Sequence, residues 1–346
     1  MKSKQGGSAL VAVLAIILAL VIVFAVFYFL PKPQNYTGEN PLRKGDGEPP
    51  ILVAHRGGDG EFPGNTLEAF YNAYSVDERV IMETDINITK DGVLILCHET
   101  SLDKRTNVTG DIADWNYSDL ISQNVDFGYT NKTDSNDKFV EGSERVHFKG
   151  EDGKEKFPTD VEYPEGVTPR HETVFLATTL EELIVAFPNN RINVEIKQNG
   201  EKGIECANAV IDLLRKYDAF DRVVLASFHG EIFDLYQQYI ADGVVPETFM
   251  CSPGTGGVVK YFILYTLGLD FFYRDDVSVF QIPMEEYGIS LAKKSLVKTA
   301  HKHNISVQYW TINDPDDMRT LIEIDADGIM TDYPHRLKQV YDSYQK

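Results

Sequence analysis

Only four residues, Thr89-Lys90-Asp91-Gly92, separate the apolar run 79–88 from the apolar run 93–98. A parallel pair of strands needs a crossover of roughly a dozen residues or more, so these two runs form an antiparallel hairpin. Asp-Gly is a favoured two-residue turn because both central residues must tolerate positive φ. With Asp91-Gly92 as that turn, Lys90 pairs with Val93 and, by continuation, Asp85 pairs with His98. Side chains alternate along a strand, which puts Glu83 on the same face as this pair. Charged groups on core-facing positions are costly unless they are paired, metal-bound or functional.

The hairpin also settles the strand count. Strand-like runs recur at 51–56, 79–88, 93–98, 191–197, 222–228, 244–251, 278–284, 305–312 and 327–332. Helical patterns lie at 65–75, 178–187, 201–217, 230–241, 289–303 and 314–324. Such alternation indicates parallel βαβ units. Setting aside the return strand 93–98 leaves eight, the number of an α/β (β/α)₈ TIM barrel, whose active sites lie at the carboxyl ends of the strands.

Three segments stand outside this rhythm. Residues 8–30 form an uncharged apolar run. As a helix of 23 residues it would span about 34 Å, against a hydrocarbon core of about 30 Å. The expectation is one N-terminal transmembrane anchor. The closing "FYFLPKP" offers no small-residue cleavage site for a signal peptide, and no amphipathic pattern marks a core helix. Lys2 and Lys4 then place a tail, 1–7, in the cytoplasm and the large domain outside the cell. Residues 31–49, rich in Pro, Gly and polar side chains, read as a linker, leaving 50–346 as the folded domain. Residues 126–172 are polar, charged and weakly periodic, an insertion after the hairpin. An insertion of that length is a lid, a small subdomain or a partly ordered segment, and is expected over the top of the barrel.

A net charge of −20 argues against nucleic acid, which needs a basic footprint. It also disfavours adsorption to anionic lipid, so the N-terminal helix is expected to tether the protein to the membrane. Cys97, Cys206 and Cys251 are too few for a disulfide framework and lack zinc-ligand spacing, and they read as buried thiols.

The chemistry gathers at the predicted upper ends of early strands. His55 and Arg56 follow the first; Glu83 and Asp85 share a face of the second; His98 ends its hairpin partner; Glu195 and Lys197 share a face of the next. Three convergent carboxylates raise one another's pKa unless a cation lies between them. Oxygen ligands without Cys or paired His suit one hard divalent cation, Ca²⁺ or Mg²⁺, held by Glu83, Asp85 and Glu195. Arg56 and Lys197 suit an anionic substrate. Two histidines beside such a site can move protons in both directions. Taken singly each residue has an ordinary explanation, Glu195–Lys197 as an internal ion pair for example. Together they are the equipment for phosphodiester cleavage.

The sequence resembles the glycerophosphodiester phosphodiesterase family. The similarity runs through "AHRGGDGEFPGNTLEAFYNAY" and "METDINITKDGVLILCHETSLDKRTNVTG", resumes at "TLEELIVAFPNNRINVEIK", "VVLASF" and "VQYWTIN", and ends at "ADGIMTDYP". It implies a metal-dependent barrel enzyme that hydrolyses glycerophosphodiesters to sn-glycerol 3-phosphate and an alcohol. His55 and His98 would be the acid–base pair, with Glu83, Asp85 and Glu195 on the metal. Arg56 and Lys197 would contact phosphate, and Trp310 would line the substrate pocket. Two departures bear on substrate preference: the family commonly reads Glu at the position of Gly64, and His-Asp where this chain has His98-Glu99. The attacking nucleophile is left open between water and the substrate's neighbouring hydroxyl.

Residues 256–273 are unusually apolar and aromatic and read as a buried barrel helix or loop. Exposed near the barrel mouth, they would instead suit a substrate with acyl chains. Gln308 and Trp310 fall on one face of their strand, where a Trp can pack on the apolar side of glycerol. Two rival readings are phospholipase D-like cleavage of lysophospholipids by the same site, and a catalytically silent, tethered phospho-ligand binding domain.

Overall fold

Each of the nine runs read as strands forms one in the computed structural model, which describes residues 5–29 and 31–344. They are β1 (Ile51–Ala54), β2 (Ile81–Ile88), β3 (Leu94–Leu96), β4 (Ile192–Ile196), β5 (Val223–Ala226), β6 (Met250–Cys251) and β7 (Val279–Ile282). A small hairpin, β8 (Glu285–Glu286) and β9 (Ile289–Ser290), precedes β10 (Ser306–Tyr309) and β11 (Gly328–Thr331). Eight of them are parallel neighbours in the order β6-β5-β4-β2-β1-β11-β10-β7. The ends of that row meet through Ser278 N–H, which donates to Cys251 O at 3.0 Å and nearly closes the barrel.

Helices cover the outside, and their starts are chemically marked. After α1 (Gln5–Phe29), helix α2 (Leu67–Val76) is capped by Thr66, whose hydroxyl accepts from Ala69 N–H. Short α3 (Tyr117–Ser122) is followed by α4 (Leu180–Ala186), which begins with a reciprocal box between Thr179 and Glu182. Then come α5 (Gly200–Lys216), α6 (Gly230–Ala241), α7 (Thr255–Thr266), α8 (Lys294–Lys302), α9 (Pro315–Glu323) and α10 (Pro334–Tyr344). Helix α7 is not buried as expected: Tyr261 is enclosed, whereas Val259 and Ile263 are about half exposed.

The barrel interior is filled by Val53, Ile81, Val224, Met250, Val279 and Met330, and its floor by Tyr36 and Leu42. Residues 31–49 therefore do not behave as a linker. Leu42 is fully buried, Asn40 Nδ2 donates to Ser278 O and Asn304 O, and Ser306 Oγ donates to Leu42 O. Buried His303 joins Asn35 to Asp270, which also pairs with Lys32 at 2.9 Å. Pro and Gly here allow the chain to fold across the amino ends of the strands, where it satisfies free carbonyls.

The expected membrane anchor is overturned. Among the described residues, no helix is long and apolar enough to cross a membrane. The transmembrane assignment of 8–30, the membrane tether and the extracellular placement of the domain are therefore withdrawn. Lys2 and Lys4, which carried the orientation, lie outside the described residues.

The hairpin forms, but one residue out of the expected register. Ile86 faces Leu96 and Asn87 faces Ile95, so Asp85 faces Cys97, whose N–H donates to Asp85 O. The cause is a three-residue turn, Lys90-Asp91-Gly92, with Gly92 at φ 82°. Thr89 hydroxyl accepts from Val93 N–H and donates to Asp91, locking that turn.

The insertion 126–172 is ordered by short bridges such as Tyr129 with His147. Arg145 donates to Thr106 O, and Arg170 pairs with Glu68 of α2 and Glu182 of α4. It packs against α2, α4 and the segment carrying Lys104 and Arg105, and pairs Glu151 with Arg336 of α10; no residue of 126–172 lines the cavity at the mouth.

Candidate active site

A cavity of about 150 Å³ opens at the carboxyl ends of the strands. Its lining contains His55, Arg56, Glu83, Asp85, His98, Glu195, Lys197 and Trp310, so all eight residues singled out from the sequence meet in one place. Glu83 and Asp85 reach it from alternate positions of β2, and Glu195 stands beside Asp85 on the neighbouring β4. His98 arrives by another route than pairing with Asp85. Strand β3 ends at Leu96, and the chain turns there towards the cavity.

The three carboxylates offer one oxygen each, all within 4.8 Å of one another. Burial and the charge of Asp85 push Glu83 up to about 7, and the same two causes raise Glu195. Asp85 is also buried, but Arg56 Nε at 2.9 Å and Lys197 Nζ at 3.5 Å hold it low. Lys197 also pairs with Glu195 at 2.7 Å. Two of the three carboxylates are held above their usual range, and the donors are all oxygen. That set fits one hard divalent cation.

The surroundings hold these groups in place. Arg56 has φ 54°, a strained conformation for a non-glycine residue, and its N–H donates to Glu83 Oε2 at 2.9 Å. Asn65 takes no part in capping α2, which Thr66 does. Its Nδ2 donates to Asp85 Oδ2, and its Oδ1 accepts from Thr84 hydroxyl. His55 Nδ1 lies 2.6 Å from Asp332 at the end of β11. Burial opposes protonation of His55, but Glu83 and Asp332 outweigh it and raise its pKa.

Both departures from the family pattern belong to one network. Glu99 is buried beside His98 Nδ1 at 3.4 Å and pairs with Lys104 at 2.8 Å. Arg105 grips Asp59 with two hydrogen bonds, 3.1 and 2.7 Å, and lies 3.7 Å from Glu99. Asp59 in turn accepts from Gly64 N–H and pairs with Arg56. A Cβ on Gly64 would stand 2.6 Å from Asp59 Oδ1, so the missing acidic side chain is what leaves room for Asp59.

Asp332, Asn65, Asp59 and Arg105 were not picked out from sequence. Asp332 alone carried a usable signal, its place at the carboxyl end of the last strand. Gln308 is fully buried and accepts from Asn193 and Gln281, while Trp310, just past the end of that strand, meets Phe228 edge-on at 5.8 Å.

The chain is 24% identical over 294 residues to a probable glycerophosphodiester phosphodiesterase 2 of Mycobacterium tuberculosis, covering 84% of this chain and 90% of that protein. It is 26% identical over 307 residues to the human lysophospholipase D GDPD1, covering 83% and 84% respectively. Among solved structures, a putative glycerophosphoryl diester phosphodiesterase of Silicibacter pomeroyi matches with a TM-score of 0.60 and 21% identity, covering 88% of this chain and 96% of that one. An Oleispira antarctica phosphodiesterase in complex with the product sn-glycerol-3-phosphate matches with a TM-score of 0.58 and 18% identity, covering 85% and 97%. These likenesses support the barrel fold. The profile of the Glycerophosphoryl diester phosphodiesterase family matches residues 55–336, and the chain belongs to that family.

Proposed function

We propose that the protein hydrolyses glycerophosphodiesters to sn-glycerol 3-phosphate and an alcohol, using His55 and His98 as acid and base. The carrying observation is that both histidines share one cavity with the triad Glu83, Asp85 and Glu195. One cation, Ca²⁺ or Mg²⁺, bound by that triad would neutralise charge on the phosphate and stabilise the transition state. Arg56 and Lys197 line the same cavity and bind the phosphate oxygens. Asp332 directs His55 through Nδ1 and leaves Nε2 for the proton transfer, while Glu99 lies beside Nδ1 of His98. One histidine takes the proton of the attacking hydroxyl and the other supplies one to the leaving alcohol. Trp310 packs on the apolar face of glycerol. The activities named for the Mycobacterium tuberculosis relative and the Oleispira antarctica structure support this reading. A silent binding domain would lack a catalytic group, and every one is present.

The test is release of sn-glycerol 3-phosphate from glycerophosphocholine, with Ca²⁺, with Mg²⁺ and with chelator. Turnover is expected with metal only, and His55→Ala and Glu83→Ala should each lose about 10²–10⁴-fold. Folded protein without turnover on any glycerophosphodiester in either metal overturns the reading.

A further inference from the structure

A cavity of about 450 Å³ lies at the other end of the barrel from the histidines. Its lining draws on the floor segment at 41–50, the loop between α2 and β2, the residue before β4, and helix α10. Five cations line it, Arg43, Lys44, Arg79, Arg191 and Lys338, against two carboxylates, Glu48 and Asp77. In a chain of net charge −20, this is a local reversal of sign.

Ion pairs occupy three of the five. Lys44 meets Asp325 at 2.7 Å, Arg79 meets Asp77 at 3.5 Å, and Lys338 pairs with Asp342. Arg43 Nε is enclosed and makes no hydrogen bond. Arg191 is partly buried, and no ion pair or hydrogen bond reaches its guanidinium among the described residues. Burial lowers its pKa against the opposing charge of Asp221. Tyr341, 7% exposed, brings to the same lining a hydroxyl without a partner. Buried polar groups left unpaired are costly, and native folds leave few of them. Water would satisfy the hydroxyl and the Nε–H, but not the charge of two unpaired guanidinium groups.

We propose that this cavity binds a small, soluble molecule bearing a phosphoryl group, held by Arg43, Arg191 and Tyr341. Guanidinium forks match phosphate oxygens, and the surplus of cations suits an anion of more than one charge. The volume is that of a small-molecule pocket, which spans roughly 300–1,000 Å³. The charge of the whole chain repels an anionic lipid surface, so the ligand is soluble. No histidine or cysteine lines the cavity, so the site binds its ligand and leaves it intact. The ligand joins the floor segment to β4 and α10, fastening the start of the domain to its last helix. The site is separate from the hydrolase centre.

The test is calorimetric titration of the full chain with diphosphate, in chelator. Without metal, the bare carboxylate triad at the far end of the barrel repels the probe. One equivalent should bind. Arg43→Gln and Arg191→Gln should each weaken it at least about tenfold, and acetate should bind wild type more weakly by at least as much. Tyr341→Phe separates binding from a structural role. Without ligand it should melt at or above wild type, because an unpaired hydroxyl is gone; with saturating diphosphate the order should reverse. No binding at about 10 mM diphosphate overturns the proposal, as does unchanged affinity in both arginine variants. Binding lost in Lys197→Ala and kept in both arginine variants places the anion in the catalytic cavity and overturns it too. Cosedimentation with phosphatidic acid vesicles that Arg43→Gln abolishes would overturn the assignment to a soluble ligand.

Discussion

The Nδ1 atom of His55 lies 2.6 Å from an oxygen of Asp332, whose other oxygen accepts 2.7 Å from Asn313 Nδ2. The first and last strands of the barrel are neighbours, and this carboxylate fixes the ring so that Nε2 faces Glu83 at 4.0 Å. Replacing Asp332 by Asn keeps the shape and removes the charge that selects the Nδ1–H tautomer. Asp332→Asn should lower kcat about 10²-fold with KM little changed. Steady-state rates within threefold of wild type would show that His55 needs no such support.

Arg105 ties the loop carrying Asp59 and Arg56 to the segment carrying Glu99 and His98. Arg105→Ala takes from nearly buried Asp59 its two hydrogen bonds and from Glu99 a second cation, and should destabilise the fold by about 3 kcal/mol, read from urea midpoints. Arg105→Lys keeps the charge but loses the two-pronged grip on Asp59, so most stability returns while kcat/KM stays about tenfold down. Equal midpoints for wild type and Arg105→Ala would remove the network from the account.

Glutamate at position 64 would restore the commoner family pattern, and here it should do harm. Its Cβ meets Asp59 Oδ1 at 2.6 Å and Arg56 Cβ at 3.0 Å, and its charge repels Asp59. Gly64→Glu is expected to cost about 1–3 kcal/mol and to raise KM for glycerophosphocholine. A variant as stable and active as wild type would mean that Asp59 can move aside freely.

Cation binding should be visible without any substrate. Two carboxylates held above their usual range are relieved when a divalent cation joins the triad, so Ca²⁺ or Mg²⁺ at a hundred times its Kd adds about 2.7 kcal/mol. The melting temperature should rise by several degrees, return on chelation, and respond at least tenfold more weakly to metal concentration in Glu195→Gln. Melting curves that ignore both metals would remove the cation from the site.

At the barrel floor, burial works against the charge of Asp270, but hydrogen bonds from His303 and Lys32 hold its pKa down to about 2. Its folded value lies below the unfolded value near 3.9, so its stabilisation is complete above that pH and is lost as pH falls through about 2. Asp270→Asn should therefore cost about 2 kcal/mol at pH 7. The gap from wild type, followed by denaturant midpoints, should close between pH 4 and 2. A gap that persists at pH 2 would assign the loss to shape rather than charge.

Glu83, Asp85, Glu195 and Lys197 were legible because a strand alternates, and a carboxylate at every second inward position has nowhere else to go. The helices were legible where apolar spacing and caps agreed, as at Thr179 and Glu182. Register was not. A two-residue and a three-residue turn differ by one position, which exchanges every facing pair, and the choice hung on the Thr89 hydroxyl. His98 reached the cavity regardless, because β3 stops early. Asn65, Arg105 and Asp332 act through partners on other elements, which spacing along the chain cannot reveal. The apolar run at 8–30 satisfied a rule of composition, yet no described helix is long and apolar enough to cross a membrane. Residues 31–49 failed the opposite way. Their composition suits an extended tether, and their role depends on carbonyls that exist only once the barrel has formed.

That floor also sets an order of events. Asn35 and Asn40 meet residues 278, 303 and 304 across separations of up to 268 positions. As the chain leaves the ribosome, the floor segment is made well before its partners. For most of synthesis it waits unpaired, and the barrel cannot be sealed until β7 and β10 exist. Contacts so distant along the chain bear a heavy closure entropy and form late. The first residues of the domain are thus the last to find their place.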